Sequence, residues 1–528
     1  MRSRLCVSRP EVSVETFMNG RMKVLAAIAI GVGLAIGFVA ATRFTGPSAK
    51  ANAQVPAAAG GDAEHAATTL ATRIGKLEFT HDFANGFPTH ATVAKLYDEI
   101  DFQRACQAYL WALPVVSFAT WQRVHEQVFG AHSGDMVSYA NNDDKQGILT
   151  ANATTPYLSA FANLTETGPL VVEMPPTGTY GGHCDYWQRP LPEQTLPGAP
   201  KPQGSTYLLL APGQEQPAAE GYRVLRSPTN NVFFGFRVLA VEPKQAKAIV
   251  DRLRVYPFAT RRNPPPTRIV SPGGKTWSAT PPRGLSYWER LAEVIDKEPV
   301  HERDRFFMAM LRPLGIEKGK RFAPDERQQK ILTEAALVGE AMAKANTFDK
   351  RAGEPYYPNA RWKLALILDP SQRADNYDQL DERAAWFYEA VTASKAMATK
   401  TPGTGSVYLG GYQDKDGDWL DGGQSYRLRI PPKVPTMLFW SVTLYDVDTR
   451  CFIKNKEKIA DRSSRMDLVK NDDQSVDIYF GPTAPAGFEK NWIPTVPGKG
   501  WFAYFRLFLP TAPYFDKSWQ LPDIEKVR

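Results

Sequence analysis

Residues Gly500–Pro510 read GWFAYFRLFLP. In an extended chain, Trp501, Ala503, Phe505, Leu507 and Leu509 share one face, and Phe502, Tyr504, Arg506 and Phe508 share the other. A strand that is apolar on both faces has to be covered on both, as in a sheet packed between two layers. Thr436–Val447, TMLFWSVTLYDV, repeats the pattern: Leu438, Trp440, Val442 and Leu444 alternate with Phe439, Ser441, Thr443 and Tyr445. Asn471–Pro482, NDDQSVDIYFGP, adds a polar turn over 471–474 and then Val476, Ile478 and Phe480 at strand spacing. Together these stretches predict an antiparallel β-sandwich at the C-terminal end, and they set the frame for the rest of the chain.

At 528 residues the chain is too long for one ordinary domain. Hydrophobic content of 43% and charged content of 23% match an ordinary globular protein, so a sizeable core can form. The 42 prolines point to many loops and short strands. Of 63 basic and 56 acidic residues, seven and two precede Gln54, which leaves 56 and 54 for the remainder. The basic excess therefore belongs to the leader, and nucleic acid, which requires a clustered basic face, is not an expected partner.

The leader carries Arg21 and Lys23 before Val24–Ala41, eighteen residues with no charge. As a helix this tract spans roughly 27 Å at 1.5 Å per residue, between a signal-peptide core and a membrane span. Ala51 and Ala53 fit a small-x-small cleavage site. Residues 1–53 therefore read as a signal peptide cleaved after Ala53, which makes the mature chain periplasmic or secreted. The rival reading is an uncleaved N-terminal membrane anchor. Cys106, Cys184 and Cys451 remain after Cys6 leaves with the leader. With no CxxC spacing they are expected as unpaired core residues, one disulfide at most being the alternative.

Residues 54–80 read as a linker. A helix is expected from about Thr92, with Ala105, Tyr109, Ala112, Val116 and Ala119 at helical spacing and Pro114 bending or splitting it. Short apolar runs bounded by Gly, Pro and Asn then mark a β-rich module over 81–284. Helical spacing dominates 285–405, with Ser286 and Glu289 as a capping box and Pro324–Asp325–Glu326 as a helix start. Residues 406–528 return to strand and turn. The fold class expected is α+β.

Several of these segments resemble a known arrangement: domain of unknown function 1254 followed by domain of unknown function 1214. The first half carries ANATTPYLSAFANLTETGPLVVEMP (Ala151–Pro175), DYWQRP (Asp185–Pro190) and STYLLLAPG…GYRVLRSPTNNVFFGFRVL. The second carries FWSVTLYDVDTRCFIKN, the NDDQSVDIYFGP stretch with its continuation to Trp519, and LPDIEKV. The resemblance spans roughly residues 90–528. It implies a β-rich N-terminal module, a helical insertion and a C-terminal jelly-roll-like sandwich, and it implies no settled activity. Gln474 stands where the family pattern has Gly, at a turn position suited to positive φ.

Candidate chemistry is sparse. Asp414, Asp416 and Asp418 in DKDGDWLDGG have calcium-loop spacing, but Trp419 replaces the required Gly and no Glu closes the loop. A D-G hairpin is the plainer reading. His183 and Asp185 can share a strand face, Cys184 pointing away, as an acid–base or metal element. A local hydrogen-bonded feature is the alternative. No nucleophile elbow, P-loop or dinucleotide fingerprint is present, and no cofactor is expected. Arg237 and Arg506 lie in apolar strands, and Tyr445 and Arg450 bracket another strand end. An arginine on an apolar face needs either a carboxylate, for which Asp446 and Asp477 are available, or the acid group of a ligand. The leading expectation is a two-module exported protein that binds a small polar ligand, glycan-like or anionic, in the cell envelope. The alternatives are a hydrolase or lyase using His183 and carboxylates, and a structural protein whose aromatic strands bury a homo-oligomer interface.

Overall fold

The computed structural model describes residues 67–175, 179–191, 205–218, 220–240 and 242–527. The leader, its cleavage site and most of the expected linker lie outside the described residues. Residues 68–79, expected as the end of that linker, instead form a two-stranded hairpin, Thr68–Thr72 with Gly75–Phe79. Leu77 and Phe79 bury the inner face of this hairpin, and Thr92 Oγ1 accepts the Glu78 N–H at 2.8 Å.

The chain is α+β. A helix of 38 residues, His90–Gln127, runs through the middle and is buried almost all round from Ala105 to Ala119. Thr89 caps it, accepting from Thr92 N. Pro114 does not split it: a single missing N–H is tolerated in a helix held on all sides. This central helix packs against Glu326–Phe348 so closely that a Cβ on Gly339 would meet the Tyr109 ring at 2.7 Å. The helical segment is thus one layer with the central helix. Asp325 and Gln328 form a capping box at the start of Glu326–Phe348. The box expected at Ser286 is absent, because Leu285–Lys297 begins two residues earlier than that cap requires, with Gly284 at its N-cap.

Two sheets make the N-terminal module. One orders Ile269–Val270, Met136–Tyr139, Tyr157–Asn163, Asn231–Val238 and Thr179–Asp185, and is called the floor sheet below. The other orders Arg254–Pro257, Leu170–Met174, Ser205–Leu210 and Arg223–Arg226. Leu158, Ala160, Phe234 and Phe236 of the floor sheet pack on Leu170, Val172, Tyr207 and Leu209.

The C-terminal sandwich pairs a sheet of Lys363–Leu364, Ser406–Gly411, Trp501–Pro510, Thr436–Asp446 and Asp461–Ser463, the roof sheet, with one of Trp492–Pro494, Val476–Gly481, Tyr426–Ile430 and Glu525–Lys526. Pairing is antiparallel except between Val476–Gly481 and Trp492–Pro494, which run parallel. Leu409, Trp440, Val442, Phe505 and Leu507 fill the core with Leu428, Ile478 and Phe480. Gln474 adopts φ 66°, so the turn keeps the left-handed geometry suited to Gly while a side chain bears it, at a cost of about 1 kcal/mol.

Candidate functional site

The roof sheet's other face is polar and still buried. Register places Tyr408, Arg506 and Ser441 in one row and Gly410, Tyr504 and Thr443 in the next. This face looks toward the floor sheet, where alternation sends Tyr157, Ser159, Phe161, Phe233, Gly235, Arg237, Gly182 and Cys184 to one side. The floor row Ser159–Gly235–Gly182 carries almost no side-chain bulk. A cavity of ≈ 130 Å³ opens above it. Trp121 of the central helix, the loop Ile148–Ala151, Trp386 and the irregular stretch 390–397 complete the walls. Among the described residues no Asp or Glu lines this cavity.

Arg506 enters from the roof and is 3% exposed. Its Nη1 donates to the Tyr445 hydroxyl at 2.6 Å and its Nη2 to the Thr150 carbonyl at 2.8 Å. Its Nε has no partner among the described residues. Tyr408, Tyr504 and Tyr445 surround the guanidinium carbon at 5.2, 4.9 and 5.5 Å. Tyr445 in turn donates to the Ala151 carbonyl at 2.6 Å. Arg237 enters from the floor, 5.1 Å over the Tyr157 ring and 5.7 Å from that of Phe508 on the roof. Two arginines, one from each module, therefore line one cavity.

The carboxylates suggested by the sequence do not serve Arg506. Asp446 accepts the N–H groups of Asp448 and Thr449 and faces Lys499 at 3.4 Å. Asp477 sits on the other sheet of the sandwich, opposite Arg429. The carboxylate coupled to Arg506 is Asp461, on the roof's edge strand. Burial pushes its carboxyl up to about 6, with Lys145, Arg462 and Arg506 opposing that rise. Lys145 is also buried. Its Nζ donates to the carbonyls of Asn152 and Ala153 at 3.2 and 3.1 Å, and burial lowers it to about 7.

The backbone around the cavity is strained. Thr150 has φ 40° and Thr392 φ 63°. Among the described residues these are the β-branched side chains found in the left-handed region, and both line the cavity. Such outliers cost of order 1–3 kcal/mol each and cluster at functional sites. Gln188 holds the second of them: its Oε1 accepts Thr392 N at 2.6 Å while its Nε2 donates to the Pro114 carbonyl at 2.7 Å.

The remaining sequence candidates are placed elsewhere. His183 turns to the opposite side of the floor sheet, its ring 4.6 Å from Tyr207 and close to Phe234 and Phe236. Asp185 accepts the Arg189 N–H at 2.8 Å, and Arg189 reaches Asp304 at 3.4 Å, a brace beside the central helix. Neither lines the cavity, whereas Cys184 does. Burial raises the Cys184 thiol well above its ordinary value. Arg450 packs 4.1 Å over Tyr388 and donates Nε to the Tyr388 carbonyl at 3.0 Å, away from the cavity. Asp414 accepts Asp416 N and Asp418 N, both at 3.0 Å, closing the hairpin turn. Its Oδ1 is thereby taken up by backbone donors, and its Oδ2 is buried with no hydrogen-bond partner among the described residues. Asp418 faces Lys526 at 3.7 Å. Among the described residues no group of three His, Cys, Asp or Glu is placed to hold a metal. Cys106, Cys184 and Cys451 are buried and unpaired. Sequence reading missed Lys145, Asp461, Thr150 and Thr392. It also missed the floor glycines, although an isolated Gly inside FFGF does signal a close backbone approach.

Asp461→Asn tests the electrostatics. The folded carboxyl is raised to about 6 from 3.8, so the native state binds the extra proton between those values. Stability then falls as pH rises through that interval, and the penalty is complete above it. The shift corresponds to about 3 kcal/mol at most, less whatever Lys145 loses with its counter-charge. Urea unfolding is expected to show the Asp461→Asn variant more stable than the parent by ~1–2 kcal/mol at pH 8 and equal to it at pH 3.5. Equal stability at both pH values is the contrary result.

Residues 134–257 match the family model described as protein of unknown function DUF1254, and residues 405–512 that of DUF1214. No curated protein matches the chain. Among solved structures, the VPA0106 protein from Vibrio parahaemolyticus aligns at 18% identity with TM-score 0.52, covering 81% of this chain and 100% of that one. An uncharacterised protein from Burkholderia cenocepacia aligns at 11% identity and TM-score 0.37, covering 83% and 97%. The first likeness shows a shared fold. Arg237 falls within the first matched segment and Arg506 within the second.

Proposed function

We propose that this chain, in which a DUF1254 segment is followed by a DUF1214 segment, binds a small anion in the cavity between the two. The observation that carries this reading is Arg506, buried at a cavity that Arg237 also enters and that no carboxylate lines among the described residues. A buried guanidinium needs charge compensation or full hydrogen bonding. Arg506 has two of its nitrogens bonded, to a hydroxyl and a carbonyl, and an Nε–H left over. An anion supplies the missing acceptor and adds to the charge compensation that Asp461 gives Arg506. The aromatic ring of Tyr408 and the strained carbonyl of Thr150 hold the guanidinium in place beforehand, so little ordering cost remains at binding.

Arg506→Gln keeps a donor near the same place and removes the charge. Hydrogen bonds to charged groups contribute ~1.5–3 kcal/mol, which corresponds to a loss of roughly 10- to 100-fold in anion affinity. Calorimetric titration of the purified chain with small organic and inorganic anions measures it, and Arg237→Gln provides a second variant at a less buried position. An unchanged affinity in both variants, or no anion bound by the parent, contradicts the proposal.

A further inference from the structure

Resting on the anion-binding reading above, the geometry points to a narrower ligand class: a monocarboxylate with a small apolar body, ring-sized or a short chain. The cavity volume sets the upper bound. An apolar cavity of about 150 Å³ accommodates benzene, so ≈ 130 Å³ holds a body of about that size and has no room for two sugar rings. The walls set the chemistry of the body. Trp121, Phe233 and Trp386 supply aromatic surface, and Ile148, Val391 and Met397 aliphatic surface. Against these stand the hydroxyls of Ser159, Thr150, Thr392 and Ser394 and those of Tyr157 and Tyr408, the last two already bonded to Asn152 N and to Ser406. A polyhydroxylated ligand would leave most of its hydroxyls facing apolar walls, at a cost per group that the site cannot return.

The charged end is equally selective. A planar carboxylate matches a guanidinium edge in two parallel hydrogen bonds. A phosphate or sulfate spreads charge in every direction and needs a polar shell all round, whereas here Arg506 from the roof and Arg237 from the floor stand among aromatic and aliphatic walls. The bare floor row Ser159–Gly235–Gly182 gives the flat body its place. A Cβ on Gly235 would meet the Phe233 ring at 2.9 Å and push it into that space.

The test uses the purified full chain and four probes: benzoate, glucuronate, inorganic phosphate and benzyl alcohol, the last a neutral analogue of the first. Calorimetry at pH 7 is expected to show benzoate binding one to one, with each of the others at least tenfold weaker. Gly235→Ala is expected to weaken benzoate at least fivefold. If phosphate binds as tightly as benzoate, the carboxylate class is wrong, and if glucuronate does, the small apolar body is wrong; anion binding stands in both cases. If benzyl alcohol equals benzoate, or none of the three anions binds, both readings fall together. The probe series on the parent chain decides the matter even if Gly235→Ala does not fold.

Discussion

Lys350→Met is expected to destabilise the protein by about 3–5 kcal/mol, the range found when one partner of a buried ion pair is removed. Lys350 Nζ lies 2.8 Å from Glu389 Oε1, and both side chains are 0% exposed. The Tyr412 hydroxyl also donates to Glu389, at 3.1 Å. Burial raises the Glu389 carboxyl, and Lys350 is the first group that opposes this. Without the lysine, an uncompensated carboxylate sits among Tyr412, Phe348 and Phe502. It then takes up a proton, so the loss is smaller at low pH than at neutral pH. The double change Lys350→Met with Glu389→Leu removes both charges and is expected to recover at least half of the lost stability. Equilibrium unfolding of the three proteins measures this. A single variant within 1 kcal/mol of the parent would falsify the closed geometry of the pair. The pair also supports the site indirectly, because Tyr412 and Phe502 belong to the layer on which Tyr504 and Arg506 rest.

Gly181→Ala is expected to cost more than about 4 kcal/mol, in the range reserved for severe steric or backbone faults. An added Cβ would lie 1.9 Å from the Gly235 carbonyl oxygen and 2.7 Å from the Phe236 Cα. Both atoms are backbone of the neighbouring strand, so no side-chain rotation relieves the clash. The strand Thr179–Asp185 is at the edge of the floor sheet, and the cheapest response is for it to peel away, which opens the cavity. The comparison with Gly235→Ala is informative. There the obstacle is the far end of the Phe233 ring, and overpacking of that kind costs typically ~1–3 kcal/mol. Hydrogen exchange is expected to show lost protection across Thr179–Asp185 and Asn231–Val238 in Gly181→Ala and near-parent protection in Gly235→Ala. Equal behaviour of the two variants is the outcome that removes the proposed close approach of these strands.

Part of the site was legible in the sequence. Arg506 was marked by its place among Phe502, Tyr504 and Phe508, and Arg237 by its place in NNVFFGFRVL. Alternation within one strand is enough to show that such a side chain faces aromatic neighbours. It does not show which face of one strand meets which face of the next. His183 pairs with Phe234 and Cys184 with Phe233, which sends His183 into the core between the two N-terminal sheets and Cys184 to the cavity. A register one residue different would reverse both. That register alone places His183 and Asp185 away from this cavity. Lys145 and Asp461 lie far apart in the chain, in different modules, and no local pattern joins them; burial and charge couple them only after the modules meet.

By itself the sequence determined the local order: long strands buried on both faces, a central helix, turn positions at 471–474 and at Asp414–Asp418, and the succession of the two modules. These follow from periods of 2.0 and 3.6 residues and from turn chemistry, which act over a few neighbours. Only the tertiary structure decided that the sandwich turns its polar face inward, that a glycine row lies opposite Arg506, and that the walls are closed by two threonines in left-handed geometry. The physical reason is that a cavity is made where side chains are missing and where separate layers fail to fill the space between them. Neither condition belongs to any one stretch of the chain.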